Sequence, residues 1–167
     1  MDLTARNDDR RKDDIQIPNQ WTILNAQGQL RYRSKIDLID AYFQTRVQPE
    51  YEYHNCSKTP FGGFVTKAML QGDMNAPATF MRIMSHLMRD YLGEFVWVYI
   101  NDILILSNKE DEHMEHIKKV CRKLKEVHFF ATGKNSEFLS PKMNVLGHVV
   151  DDDGLHASPA KITRIGE

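Results

Sequence analysis

The sequence predicts an α+β fold in which an antiparallel sheet is backed by two helices. Apolar strands flank a short turn at residues 99–102, two amphipathic helical patterns follow other strands, and no GxGxxG motif or parallel βαβ rhythm is present. The 167 residues, 41% of them hydrophobic, suffice for the core of one domain.

The centre of the predicted sheet is a hairpin. Residues 95–98 and 103–106 are apolar, and the turn between them contains Tyr99, Ile100, Asn101 and Asp102. A second strand at residues 32–38 carries Asp37 near its end. We therefore expect two strands that each bring one carboxylate to the edge of the sheet.

The first helix is predicted to start at Asn75, an N-cap residue followed closely by Pro77, and to end at Gly93. One face of it is apolar and is predicted to be core; it contains Phe80, Ile83, Met84, Leu87, Met88, Tyr91 and Leu92. The second helix starts with acids at 110–112, and its predicted buried face comprises Met114, Ile117, Cys121 and Leu124.

The remaining strands are predicted from shorter patterns. Residues 56–61 and 64–70 form a hairpin around Gly62 and Gly63, and residues 129–131 and 145–150 form a further strand pair. The acids at 151–153 are interpreted as turn formers. The charged segment up to about Asp14 is expected to be a loosely held, solvated arm.

Charge and composition exclude several classes. Lys and Arg number 22 against 23 Asp and Glu, so nucleic-acid binding would require local basic clusters, such as the lysines late in the second helix. Cys56 and Cys121 have no disulfide or zinc-site spacing, and no segment is apolar enough for a membrane span. We expect an intracellular protein without a membrane partner; a cytoplasmic particle and the nucleus are not distinguished.

Two carboxylates at adjacent strand ends suit two-metal phosphoryl transfer, because hard divalent cations prefer oxygen ligands. Taken alone, Asp37 and Asp102 have an ordinary structural explanation, since acids are common at strand ends and turns. A small α+β interaction module without a metal site is therefore an alternative at this point.

Longer motifs resemble the reverse transcriptases of gypsy-type LTR retrotransposons and, more distantly, the retroviral enzymes. Residues 32–42 are similar to the first palm motif, residues 69–80 to the second, and residues 95–107 to the YxDD hairpin. Residues 146–150 are similar to the primer-grip hairpin. The resemblance implies a polymerase palm at 32–167, with fingers strands near 51–70 and a primer-grip hairpin near 145–155, preceded by an arm and partial fingers at 1–31.

The resemblance also implies roles for individual residues. Mg²⁺ or Mn²⁺ would be held by Asp37, Asp102 and the carbonyl of Leu38. Template with primer, RNA or DNA, and deoxynucleoside triphosphates would be the partners, together with the thumb and ribonuclease H domains of a polyprotein. Tyr42 would be the steric gate against ribonucleotides. The other nucleotide-binding residues would be Asp40, Ala41, Gln71 and Gly72, and the primer grip would comprise Leu146, Gly147 and His148.

Asn101 departs from the family pattern, which has an acid at this position. Asparagine keeps an oxygen ligand but loses the charge, and we expect the turn to accept it because Asn tolerates positive φ. Asn135 and Ser136 replace the usual Lys-Cys pair. The chain also starts within the fingers and ends before the thumb, so we expect poor clamping of primer-template. The predicted function is an RNA-directed DNA polymerase domain with impaired activity; the alternative is an inactive transposon-derived remnant that binds nucleic acid or a partner protein.

Overall fold

The computed structural model describes residues 3–13 and 19–157. Its centre is a four-stranded antiparallel sheet in the order β4-β5-β1-β6. The strands are β1 (Tyr32–Leu38), β4 (Val96–Tyr99), β5 (Asp102–Ser107) and β6 (Ala131–Glu137). The predicted α+β architecture is confirmed, and strands β1, β4 and β5 lie where the apolar runs placed them.

Two helices cover one face of this sheet: α3 (Ala76–Leu87) and α4 (Glu110–Glu126). Alternation along the strands points Ile36 and Leu38 of β1 and Ile103 and Ile105 of β5 toward the helices. The main core forms there, and its helical members include Phe80, Met84, Val120 and Leu124. The helices thus anchor the strands that carry Asp37 and Asp102.

The opposite face is covered by α2 (Gln20–Gln29) and a small antiparallel sheet of β7 (Met143–Val145), β8 (His148–Asp151) and β9 (Gly154–Ala157). Ile23, Leu104, Met143 and Val145 are almost fully buried between these layers. Asp151 accepts a hydrogen bond from the Asp153 amide in the β8–β9 turn, as the turn-forming interpretation of these acids expects. The central sheet is therefore buried on both faces.

A separate hairpin of β2 (Cys56–Thr59) and β3 (Gly62–Val65) follows a 3₁₀ helix at Pro49–Asn55. The turn lies at residues 60–61, and Gly62 and Gly63 begin the second strand, so the predicted turn position was wrong. The second strand also ends at Val65 rather than near Leu70. No helix in the described residues is both long and apolar enough to cross a membrane.

Helix α3 ends at Leu87, six residues before the Gly93 end that the sequence predicts. The chain turns back at this point: the Tyr91 carbonyl accepts the amides of Glu94, Phe95 and Val96, and Gly93 has φ of 79°. The turn places the Tyr91 and Phe95 rings 4.9 Å apart. Tyr91 is therefore half-buried against the core, and it lies in a turn rather than in a helix.

The buried face of α4 is the predicted one only in part, because Leu124 is buried and Ile117 packs against the core but the other two predicted residues are exposed. Met114 is 41% exposed and Cys121 is also exposed, whereas His113 is completely buried with Val120 and Leu124. His113 is buried because hydroxyls of Ser34 and Ser107 satisfy its two ring nitrogens. A search for apolar periodicity cannot anticipate a buried histidine of this kind.

Two further predictions required correction. Strand β6 is polar, and the predicted strand at residues 129–131 missed most of it. It is an edge strand, and its pairing with β1 compensates for the lack of an apolar pattern in its sequence. The single run predicted at 145–150 is instead interrupted by a turn at Leu146 and Gly147, which both have positive φ.

The N-terminal arm is held more firmly than expected. It forms a short helix, α1 (Thr4–Asp8), and Arg10 makes a 2.8 Å ion pair with Asp73. Asn75 does not cap α3 with its side chain, as its sequence position suggested; instead its amide group bonds the backbone of Arg11 and Asp13. The arm is therefore part of the fold around the start of α3.

Candidate active site

The two predicted carboxylates are directly opposite each other on neighbouring strands. Asp37 of β1 pairs with Asp102 of β5 in the antiparallel register, and Asp102 also pairs with Tyr99 of β4. Residues opposite each other in such a pair project from the same face, with Cβ atoms about 4.5–5.5 Å apart. This face is the one covered by β7 to β9, so both acids lie on the side of the primer-grip-like hairpin.

The surroundings of Asp102 disfavour its ionised form. Burial raises the pKa of Asp102; nearby Lys35 opposes this effect, and Asp37 and Glu137 reinforce it. The Lys35 ammonium group also forms an ion pair with Glu137 at 3.6 Å and donates a hydrogen bond to the Asn144 carbonyl at 3.4 Å. A cation between the two aspartates would relieve their mutual repulsion.

Strand β6 orients Asp37. The Asn135 amide donates to Asp37 Oδ2 at 3.1 Å, and Ser136 Oγ accepts the Asp37 backbone amide at 3.1 Å. The β1–β6 register also shifts between Lys35 and Asp37. The two residues that replace the family's Lys-Cys pair thus contact the predicted metal ligand and its backbone.

Asn101 has an unsatisfied side chain. Its Oδ1 is buried and has no hydrogen-bond partner among the described residues. The turn accepts Asn101, as expected, but its positive φ, 52°, lies at Ile100, so tolerance of positive φ is not the reason. An unpaired buried carbonyl costs roughly 1–3 kcal/mol, which a cation or donor at this position would offset. Asn101 therefore presents an unsatisfied oxygen at the β4–β5 turn.

A cavity of about 130 Å³ lies beside this turn. Its lining brings together Asn101 and four of the five residues predicted to bind nucleotide: Asp40, Ala41, Tyr42 and Gln71, with Phe43 as a further neighbour. The Tyr42 ring packs edge-on against Phe80 at 5.8 Å, and burial raises the pKa of its hydroxyl.

Gly72, the fifth predicted nucleotide residue, is not part of this lining. It has φ of 94°, and its carbonyl accepts a hydrogen bond from Asn7 of the N-terminal arm at 2.9 Å. The geometry therefore shows a role for Gly72 in docking the arm, and contact with a nucleotide stays a prediction.

The remaining predicted residues lie nearby. The Leu38 side chain is buried in the main core, so only its backbone carbonyl could serve as a ligand. Leu146 and Gly147 form the β7–β8 turn, and the His148 ring lies 6.1 Å from that of Trp21. Leu146 also packs against the buried cluster on the same face of the sheet as the carboxylates.

The donor set fits a divalent cation, with one charge fewer than a site of three acids. The described part of the chain contains no group of three or more His, Cys, Asp or Glu side chains arranged to hold a metal ion. It does contain two opposed carboxylates and an amide oxygen, all hard oxygen donors. Sequence reasoning missed Lys35 and Glu137 as neighbours, although alternation along β1 places Lys35 on the same face as Asp37.

Comparison with known proteins identifies the family. Residues 7–150 match the family model described as reverse transcriptase (RNA-dependent DNA polymerase), and the chain belongs to that family. It is 34% identical over 149 residues to the retrovirus-related Pol polyprotein from transposon 297 of Drosophila melanogaster, an alignment that covers 89% of the chain and 14% of the polyprotein. The Pol polyprotein of the Drosophila transposon gypsy is 27% identical, over 100% of the chain and 16% of its own length.

A shorter relative is covered almost completely. The RNA-directed DNA polymerase homolog of Oenothera berteroana is 33% identical over 70% of this chain and 83% of its own length. Among solved structures, the foamy viral protease-reverse transcriptase in complex with RNA/DNA hybrid has a TM-score of 0.87 at 22% identity, over 99% of this chain and 22% of that one. The same viral protein with double-stranded DNA reaches a TM-score of 0.89. The polymerase fold inferred from the motifs is confirmed.

Proposed function

We propose that this chain is the palm of a template-directed DNA polymerase whose catalytic site works poorly because Asn101 replaces an acid. The observation that carries the proposal is the register pairing of Asp37 with Asp102 beside the unpartnered oxygen of Asn101. The solved relatives bound to RNA/DNA hybrid and to double-stranded DNA support primer-template as the substrate.

Asp37, Asp102, Asn101 and the Leu38 carbonyl would hold divalent cations. When bound, two such cations activate a 3′-hydroxyl and stabilise the charge that develops on a triphosphate. The protein supplies orientation: Asn135 holds one oxygen of Asp37, and the β4–β5 turn presents Asp102. Residues 40–43 and Gln71 enclose the adjoining cavity, where the incoming nucleotide would bind.

The decisive experiment is primer extension on an RNA template with Mg²⁺ and then Mn²⁺. The chain as it stands is compared with Asn101→Asp, and Asp37→Ala serves as the blank. Activity in Asn101→Asp that Asp37→Ala abolishes in the same background would support the proposal. If neither the two variants nor the original chain extends the primer although all three are folded, the chain is better described as a non-catalytic relative that binds nucleic acid or a partner.

Replacing Asp102 with asparagine should separate metal binding from folding. Because burial and Asp37 disfavour its ionised form, Asp102→Asn is expected to leave thermal stability unchanged or higher without metal. It should also weaken Mn²⁺ binding at least tenfold, since a charged ligand is lost. Calorimetry with Mn²⁺ and thermal melts in chelator measure the two effects, and Asp90→Asn, an exposed position, is the matched control. Undiminished Mn²⁺ affinity would place the metal elsewhere.

Tyr42 is expected to determine sugar selectivity. Its ring lines the cavity and is held by Phe80, so Tyr42→Ala should open space beside the nucleotide and raise ribonucleotide incorporation relative to deoxyribonucleotide. Tyr42→Phe retains the ring and should retain the selectivity. The ratio of incorporation efficiencies, measured in the Asn101→Asp background, tests this; equal ratios in the two Tyr42 variants would contradict the assignment.

A further inference from the structure

A second and larger cavity, of about 620 Å³, lies between the N-terminal arm, the segment after β1, the 3₁₀ helix and the start of α3. We call it the arginine cavity, after Arg10, Arg11 and Arg46 in its lining. It shares no lining residue with the cavity beside Asn101. Its volume is in the range of small-molecule sites, roughly 300–1,000 Å³.

The arginine cavity has an excess of positive charge. Among the described residues of the lining, Asp73 is the one carboxylate, and it is paired with Arg10 at 2.8 Å. Arg11 and Arg46 have no ion-pair partner within residues 3–13 and 19–157. Two uncompensated guanidinium groups around a concave surface favour an anionic ligand, and phosphate matches their fork geometry.

Thr45 supplies a second, independent observation. It lines the arginine cavity and is 9% exposed, and its Oγ1 is buried with no hydrogen-bond partner in the described structure. Its backbone is fixed by bonds to Tyr42 and Met69. Because an unpaired buried hydroxyl is destabilising, it is typically paired with a ligand or water. A ligand oxygen would satisfy this one.

Two exposed rings complete the lining. Tyr51 and His54 are one turn apart on the 3₁₀ helix, and their rings are nearly parallel, with centroids 6.4 Å apart and an angle of 13°. The 3₁₀ geometry produces this alignment because side chains at i and i+3 eclipse. Parallel exposed aromatic rings beside basic groups are a surface on which nucleobases stack.

We propose that the arginine cavity binds a nucleotide, with the phosphate at Arg11, Arg46 and Thr45 and the base against the Tyr51 and His54 rings. The site is separate from the aspartate pair and does not depend on polymerase activity. The nucleotide is either free or part of a single strand, and both sources present the same phosphate and base.

Equilibrium binding in chelator tests the proposal, because metal-dependent binding at the aspartates is then suppressed. The probes are adenosine 5′-monophosphate, inorganic phosphate and a fluorescein-labelled oligothymidylate. Arg46→Gln is expected to weaken nucleotide binding on the order of tenfold, because the substitution removes one charge-assisted hydrogen bond to the phosphate. Arg89→Gln, which removes the same charge at an exposed position outside the lining, should bind nucleotide as the original chain does.

Thr45→Val provides a readout independent of charge. It should weaken nucleotide binding while raising the melting temperature of the free protein, because the unpaired hydroxyl is removed without changing the shape of the side chain. A lower melting temperature with unchanged binding would overturn the role of Thr45. Weaker binding by a variant that melts at a higher temperature could not be explained by misfolding.

The three probes separate the possible ligands. Tight binding of the monophosphate identifies a free nucleotide, and tight binding of the oligonucleotide alone identifies a strand; both support the proposal if Arg46→Gln weakens them. Equal affinity for inorganic phosphate and the monophosphate would overturn the base-stacking component and hence the nucleotide. Binding that Arg46→Gln leaves unchanged would overturn the site.

Discussion

Restoring a carboxylate at position 101 is expected to raise primer extension about 100-fold, which corresponds to roughly 3 kcal/mol of transition-state stabilisation. The Asn101 oxygen is already buried beside the cavity lined by Tyr42 and Gln71, and an aspartate oxygen would occupy the same position with a negative charge. The gain should appear in the rate of nucleotide addition at saturating template, with Mg²⁺ more than with Mn²⁺.

The same substitution should make folding depend on metal. A third acid beside Asp37 and Asp102 adds repulsion to a site where the pKa of Asp102 is already raised. We expect Asn101→Asp to melt at a lower temperature than the original chain in chelator and to recover when Mn²⁺ is added. A parallel Asn108→Asp variant, at an exposed position after β5, should show neither effect.

Equal extension rates with asparagine and aspartate would show that the amide oxygen suffices as a ligand. That outcome would remove the reason for proposing an impaired site. Melting temperatures that do not respond to Mn²⁺ in either protein would instead argue against a metal at the aspartate pair.

The second large effect is loss of stability in mild acid. His113 is completely buried, with Nε2 2.7 Å from Ser34 Oγ and Nδ1 2.8 Å from Ser107 Oγ. Burial and the neighbouring His116 lower its pKa from 6.5 to about 4. Between these values the unfolded chain binds a proton that the folded chain rejects, so stability is full above about pH 6.5 and falls as the pH drops toward 4.

His113 alone is expected to remove about 2 kcal/mol of folding free energy between pH 7 and pH 5. His116, whose pKa is also lowered chiefly by burial, acts in the same direction. Urea unfolding at the two pH values measures the change. In His113→Gln the difference between the two pH values should shrink by that amount, whatever the variant's absolute stability.

His86→Gln is the matched control, because His86 is exposed on α3 and its removal should leave the pH dependence intact. A His113→Gln protein with the full acid sensitivity of the original chain would assign that sensitivity to other groups.

These buried hydroxyl-histidine contacts also show the limit of sequence reasoning about α4. The helix was evident from its acids and its periodic apolar residues, but its buried face was predicted through Met114 and Cys121. The buried face of the helix instead includes His113, because Ser34 on β1 and Ser107 on β5 lie opposite this residue and form hydrogen bonds with it. A polar residue becomes a core residue only when distant partners satisfy it, and those partners are not visible from local spacing.

Three of the four central strands, the two covering helices, the family and the two acids at the sheet edge could all be predicted from the sequence alone. These features depend on short-range patterns and ordered motifs, which are formed by residues close together in the sequence. Features that depend on pairing between distant segments emerge only in the folded chain: the register that sets Asp37 opposite Asp102, the polar edge strand that holds Asp37, and the arm that bounds the arginine cavity. Within the described residues, the packing also leaves the side-chain oxygens of Asn101 and Thr45 without partners, because hydrogen-bond satisfaction is a property of the packed interior.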